Sequence, residues 1–464
     1  MANSTKKFLS AKEVAAYSLG LFGFQLIFGY LNSYQAEFYM TAMGANLAVV
    51  GMLILVVKIV SAVFDPIVGN LIEKKGKLKP FILLSTPLLF ITAVWVFIDV
   101  PLSGAWLYIY IFFTFLLFSM SASLGDIPSQ AIASVVTPDP TERTNLISLS
   151  GIFKAAGLTA AATVVPIVCL IVPGGSQFIT QNNEPDTPMS VGEFTISALV
   201  IALVGCALFL LIYFLNKERV PYYAEKTNFR DMIGSLKNNK PFMLVIISCF
   251  LGFGRQIQTG IGIQAANTLL DSQSLAFLIG LPTAIGALIS MAMTPALIKK
   301  IGEKKTYIGV SVYGFAASMI SFFVGYNNFW VMMIFLFLTG LQFGVVNIMP
   351  LVMTADTVDY YEYKTGKRAE GTFYAVLSLT IKVTLALGTA LGLILVSVSK
   401  YNTELLMQAP ATKDLIYFAY IAAPGIFSLL SIFPILKYDI FGKRKAEIAE
   451  ELQKIRETAK PAKE

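Results

Sequence analysis

Apolar stretches of about twenty residues, separated by short polar or charged breaks, recur from one end of this 464-residue chain to the other. Wound as helices, such stretches cross a hydrocarbon core of about 30 Å. The pattern predicts spans at 13–39, 47–72, 81–99, 105–133, 146–172, 192–215, 241–265, 272–298, 304–325, 329–353, 371–398 and 413–440. The first has no small-residue cleavage pattern after a short core and is followed by eleven more. It therefore reads as a span and not as a signal peptide. The expected fold class is an all-α membrane protein with twelve transmembrane helices.

The breaks organise the spans. Residues 216–240 form a long polar segment that divides the chain into an N-terminal six-helix bundle (1–215) and a C-terminal one (241–440), with a charged tail at 441–464. The loop EKKGKLK (73–79), the 216–240 segment, KKIGEKK (299–305), YKTGKR (363–368) and the tail are basic or highly charged, and all fall on one side. The opposite loops TAMGAN (41–46), GYNN (325–328) and PGGSQFITQNNEPDTPMS (173–190) carry neither lysine nor arginine. By the positive-inside rule both termini, with the 216–240 link, are expected on the cytoplasmic side of the plasma membrane. The basic loop after span 2 recurs after span 8, its counterpart in the second half. Two halves with that symmetry suit a transporter that binds its substrate between bundles and rocks around it.

Composition removes other classes. There is no histidine, and the three cysteines, Cys169, Cys206 and Cys249, each lie inside an apolar run. That disfavours metal chemistry and nucleophile-base arrangements, so the chain is not expected to be an enzyme and needs no cofactor. The net charge of +7 follows from the orienting loops, with no interleaved aromatic-basic patch for nucleic acid. The expected surroundings are a lipid bilayer and the expected partner a small solute, handled by a single chain.

Ionisable groups in hydrocarbon cost several kcal/mol each, so those inside the spans are functional candidates. They are Lys58, Asp65, Asp126, Lys154, Arg255 and Lys382, with Glu37 near enough to a span end to snorkel toward water. Asp65, Asp126, Lys154 and Lys382 lie about eight to eleven residues from the inner ends of their spans, roughly 12 to 17 Å deep. Lys58, Ser61 and Asp65, spaced three and four apart, share one helical face. Asp126 precedes Pro128, which leaves the Leu124 carbonyl without its helical donor, a combination suited to a small cation or a proton. The bland reading pairs these acids with nearby lysines as helix glue, but isolated buried ion pairs stabilise poorly. Arg255 divides evenly between a carbonyl partner and the cavity wall. Gln25, Asn32, Gln130, Gln256, Gln258, Gln264, Asn347 and Thr380 add neutral polar groups at related depths. Amides commonly bridge helices. Their number here suits a hydrated cavity for a polyhydroxylated solute better than a lipid.

DPIVGNLIEKKGKLKPFILL (65–84) and MTADTVDYYEYKTGKRAEGTFYAV (353–376), with GDIPSQ (125–130) and SLTIKVTLALG (378–388) in order, resemble the glycoside-pentoside-hexuronide:cation symporters, the melibiose-carrier-like branch of the major facilitator superfamily. The resemblance covers essentially the whole chain. It implies a major facilitator fold and cation-coupled sugar uptake. It assigns cation coupling to Asp65, Asp126 and Lys382, with Ser61 where relatives carry a second acid and Lys58 beside it. It places Gln25 where relatives contact sugar with an acid, Gly151 in place of an arginine, and Gln130 and Asn347 in place of aromatic groups. The substrate-binding expectation is Gln25, Asn32, Asp126, Gln130, Lys154, Arg255, Asn347, Thr380 and Lys382. The loop residues Glu73, Lys74, Lys75, Lys77 and Lys79 are expected to pair across the halves with the block of Asp356, Asp359, Glu362 and Arg368 as a cytoplasmic gate.

The reading that follows is a secondary active symporter for a sugar, glycoside or hexuronide, driven by H+ in preference to Na+. Losing the second acid removes a charged oxygen ligand from a sodium site, whereas one carboxylate still takes a proton. The extra cations Lys154 and Arg255 suit an acidic sugar. The rivals are a lipid or lysolipid carrier of the same fold and a non-transporting membrane sensor.

Overall fold

The computed structural model describes residues 8–75, 77–137, 140–171, 190–219, 239–270, 276–366, 370–402, 405 and 407–458. The helices are α1 (Ala11–Thr41), α2 (Leu47–Lys75), α3 (Lys79–Trp95), α4 (Ala105–Val136), α5 (Pro140–Ile171), α6 (Val191–Leu215), α7 (Lys240–Leu251), α8 (Gly262–Leu269), α9 (Ala276–Ile301), α10 (Glu303–Val324), α11 (Phe329–Thr365), α12 (Glu370–Val398), α13 (Pro410–Tyr417), α14 (Ala423–Leu430), α15 (Ile432–Leu436) and α16 (Gly442–Thr458). Among the described residues nine helical segments are long and apolar enough to cross a membrane, ten if the bent pair Lys240–Leu251 and Phe253–Gly260 is one span. Lys79–Trp95 and Leu149–Ala161 are shorter apolar helices at the two remaining expected positions. The protein is an all-α, multi-pass membrane protein.

Its helices are inside out relative to a soluble fold. On α2 the exposed positions Ile59, Val63, Ile67 and Leu71 recur every fourth residue and make an oily outer stripe, while Val57, Ser61, Val68 and Ile72 turn inward. Lipid replaces water as the solvent of the outer stripe, so polar groups collect on the inner face.

The chain divides into two units. The first takes in Met1–Ala224 together with Thr259–Phe277 and Leu393–Lys413; the second takes in Glu225–Gln258, Leu278–Gly392 and Asp414–Glu464. In this partition α8 and Leu393–Lys413, which begins in the last turns of α12, group with the first unit. Within that unit α1 packs on α5 and α6, α2 on α4, and α3 on α4 and α6. Small residues let these backbones meet. A Cβ on Gly23 would come within 2.5 Å of the Gly205 carbonyl oxygen, and one on Gly205 within 2.7 Å of the Gly23 carbonyl oxygen.

The second unit repeats the device. A Cβ on Gly340 would meet the Thr283 carbonyl oxygen at 2.3 Å, and one on Gly286 the Phe337 carbonyl oxygen at 2.4 Å. The seventh span is broken: the axis bends by 46° between α7 and the turns that follow. Gly252 stands at the break, where a Cβ would lie 2.3 Å from the Arg255 guanidinium folded back over it. The twelfth span holds a π-helical turn at Phe418–Ala422, whose Tyr420 carbonyl accepts a 2.9 Å hydrogen bond from Gln258.

Candidate functional site

In the first unit, α4 stays helical through Pro128, so the Leu124 carbonyl loses its helical donor without the helix ending. One turn is enough to bring Gln130 onto Asp126: its amide donates to the Asp126 carboxylate at 2.8 Å, and the Ser129 hydroxyl donates to the Asp126 carbonyl at 2.8 Å. Asp126 is half-buried and Gln130 exposed, so the pair opens to the surroundings of its own unit. Tyr17 of α1 lies within electrostatic reach of Asp126 and beside Ser150 of α5.

Lys58 of α2 is buried, and its ammonium stands over two aromatic faces, 4.7 Å from the ring of Phe28 on α1 and 5.3 Å from that of Phe115 on α4. Such a cage partly replaces lost hydration by attraction to the ring faces. Ser61, also buried, spends its hydroxyl on the Lys58 carbonyl at 3.0 Å. Asp65 and Lys154 are half-buried, as is Gln25. Asn32 turns back to donate to the Phe28 carbonyl of its own helix at 2.7 Å.

The second unit carries Lys382, half-buried on α12, and Asn347, exposed on α11. Thr380 is buried and donates to the Val376 carbonyl at 2.8 Å, so its hydroxyl is engaged within α12. Arg255 is enclosed within the second unit. Only 7% of its surface is exposed, and its guanidinium donates to the Ser431 hydroxyl at 2.9 Å and to the Tyr307 hydroxyl at 3.4 Å. Ser248 extends the node to the Ser431 carbonyl at 2.7 Å, and Gln342 joins it through Ser428, whose carbonyl accepts from Ser431 at 2.6 Å. Arg255 thus lies in a hydroxyl network inside its own unit.

At the end carrying the basic loops, Asp356 has an ion-pair partner within its own unit. Lys445 of α16 bridges it at 2.7 Å and Glu303 at 2.5 Å. Burial alone would lower the Lys445 ammonium, but the two carboxylates outweigh it and hold it above the ordinary value. Ile448 and Leu452 of the same helix enter a core with Tyr307, Met349, Met353 and Tyr438. Lys79 is likewise taken up locally, donating to the Asn216 carbonyl at 2.8 Å with its ammonium 5.1 Å from the Tyr213 ring. Lys77 is exposed, and Asp359 and Glu362 are half-buried on α11. The side chains of Glu73, Lys74 and Lys75, and Arg368 entirely, lie outside the described residues.

Glu37 also departs from expectation. Only 1% of it is exposed, because Gln264 donates to one carboxylate oxygen at 2.9 Å and Asn267 to the other at 3.2 Å. With these donors in place it has no need to snorkel.

Sequence reasoning missed Phe28, Phe115, Tyr17, Tyr307 and Ser431. Aromatic residues make up 12% of the chain and serine hydroxyls are everywhere, so no pattern marks these five.

Comparison with known proteins agrees with this architecture. The chain is 26% identical over 453 residues to the glucuronide carrier protein homolog of Escherichia coli (strain K12), covering 96% of each. It is 26% identical over 458 residues to the isoprimeverose transporter of Lactiplantibacillus pentosus, covering 94% of this chain and 90% of that one. Among solved structures it is similar to the nucleoside transporter NupG, with a TM-score of 0.66 at 14% identity over 93% of this chain and 100% of the other, which speaks to the fold alone. These relatives are transporters and not enzymes. The model of the MFS/sugar transport protein family matches residues 16–441, and the chain belongs to that family.

Proposed function

We propose that the protein is a secondary active symporter that moves a sugar, glycoside or hexuronide together with a cation, a proton in preference to sodium, by alternating access. The observation that carries this reading is the Asp126–Gln130 pair. It offers a half-buried carboxylate and an exposed amide one turn apart, beside a carbonyl freed by Pro128. A carboxylate so placed can hold a proton or accept from sugar hydroxyls, and the amide both donates and accepts.

Asp65 is the second acid of the proposed coupling site. Ser61 stands where a second carboxylate on its helix would serve sodium, and its hydroxyl proton is already committed to the Lys58 carbonyl. That leaves one neutral oxygen where sodium wants charge, and favours the proton. Lys154 and Lys382 are the cations offered to an acidic substrate, and the first relative above is named for a glucuronide. This reading puts the site in the plasma membrane with both termini cytoplasmic, which the distribution of basic loops supports. Cation binding at Asp65 and Asp126 raises sugar affinity; the loaded carrier then closes on one side and opens on the other.

Asp126→Asn is the direct test, because it keeps the shape and removes the titratable group. Accumulation of sugar against its gradient should fall to the background of empty vesicles, with the variant still folded. Robust accumulation by that variant would remove the central site.

A further inference from the structure

Glu37 belongs to no part of the coupling site above, yet among the described residues it is the most thoroughly enclosed acid of the first unit's spans. It lies on α1 roughly 36 Å along the helix from Glu13. Glu13 marks the end with the basic loops, where it pairs with Arg219 at 2.8 Å. The Glu37 cluster is therefore at the opposite end of α1.

Its partners come from the second half of the sequence, although they belong to the same structural unit. Gln264 and Asn267, three residues apart on one face of α8, donate to separate carboxylate oxygens. Asn267 also donates to the Tyr401 hydroxyl at 3.1 Å. The turn that presents Tyr401 is built for the purpose. Lys400 is the one non-glycine residue with positive φ among those described, at 61°, an unfavourable conformation that persists only where surroundings enforce it. Those surroundings are present: Thr412 donates to the Ser399 carbonyl at 2.6 Å, and Gln408 closes the loop onto Asn402 at 2.6 Å and Leu405 at 2.8 Å.

A buried carboxylate deprived of its donors is expensive, so the three segments stay together or come apart as a group. We propose that Glu37 is the positioning residue of a gate at the end opposite the basic loops, latching α8 and the Tyr401 turn to α1. The cycle must release this latch to open that end. The proposal rests on the alternating-access reading above and adds to it the residue that holds one end shut.

The test uses the full chain with Cys169, Cys206 and Cys249 replaced by alanine and Ala266→Cys as reporter, since Ala266 is wholly buried on α8 between the latch residues. The reading is the rate of modification by a membrane-impermeant maleimide at mildly alkaline pH. Glu37→Gln, which loses the charge, and Gln264→Glu, which sets two carboxylates face to face, should each raise the rate roughly tenfold or more. The double variant Glu37→Gln/Gln264→Glu restores one acid facing one amide and should return the rate to that of the reporter alone. Equal rates in all four proteins, or a double variant as reactive as the singles, would overturn the latch. Labelling needs no substrate, so its outcome is independent of whether Asp126→Asn abolishes accumulation.

Discussion

Asp126 and Arg255 both sit well inside apolar spans, where the sequence makes each a candidate for substrate contact. Asp126 is half-buried beside an exposed amide, whereas Arg255 has 7% of its surface exposed and donates to Ser431 and Tyr307. The difference is direction and not depth. On α4, Pro128 and the Gln130 amide organise a face that stays open. At the bend after α7, Gly252 lets the guanidinium fold back into the unit. A charge in a membrane helix therefore marks a function only when its helix face is known as well as its depth.

The largest effect that sharpens this contrast is on transport. Gln130→Ala strips the Asp126 carboxylate of its 2.8 Å donor and should cut gradient-driven uptake on the order of tenfold, with little change in stability. An unchanged rate would mean that the amide is a bystander.

On the Arg255 side the expected loss is of stability. Ser431→Ala removes an acceptor from a buried guanidinium and should cost about 1–3 kcal/mol, seen as a lower melting temperature in detergent. Arg255→Met, by contrast, should leave KM for an acidic glycoside unchanged. A tenfold rise in that KM would put Arg255 back at the substrate.

The smallest effect is local. Lys445→Ala leaves Asp356 and Glu303 close together without their ammonium, and α16 should exchange its amide hydrogens faster while uptake is retained. Because these acids raise the Lys445 ammonium above its ordinary 10.5, the stabilisation is fully present below that pH and is lost as pH climbs through the raised value. This contribution to α16 should be lost in strong alkali, and the variant should show no such step.

Much of the fold was legible because lipid imposes it. The length of the apolar runs fixes the spans, and Asp65, Asp126 and Pro128 stand out against them. The site was legible only as a level. Lys58 could be seen to share a face with Ser61 and Asp65, but not that Phe28 and Phe115 cover its ammonium, since those rings come from other helices. Asn32 and Thr380 are substrate candidates by depth, yet each donates to its own helix backbone, an option open to any amide or hydroxyl in a helix. The nearby span end suggests water as the partner of Glu37; its donors Gln264 and Asn267 lie over two hundred residues away.

The most direct test of the coupled-carrier account is uptake of neutral and acidic glycosides into proteoliposomes under an imposed pH gradient or an imposed sodium gradient, one at a time. The account predicts transient accumulation of at least one glycoside under the inward proton gradient, lost in Asp126→Asn, with little response to sodium. Accumulation driven by sodium alone and indifferent to pH would contradict the proton assignment, and accumulation retained by Asp126→Asn would contradict the site.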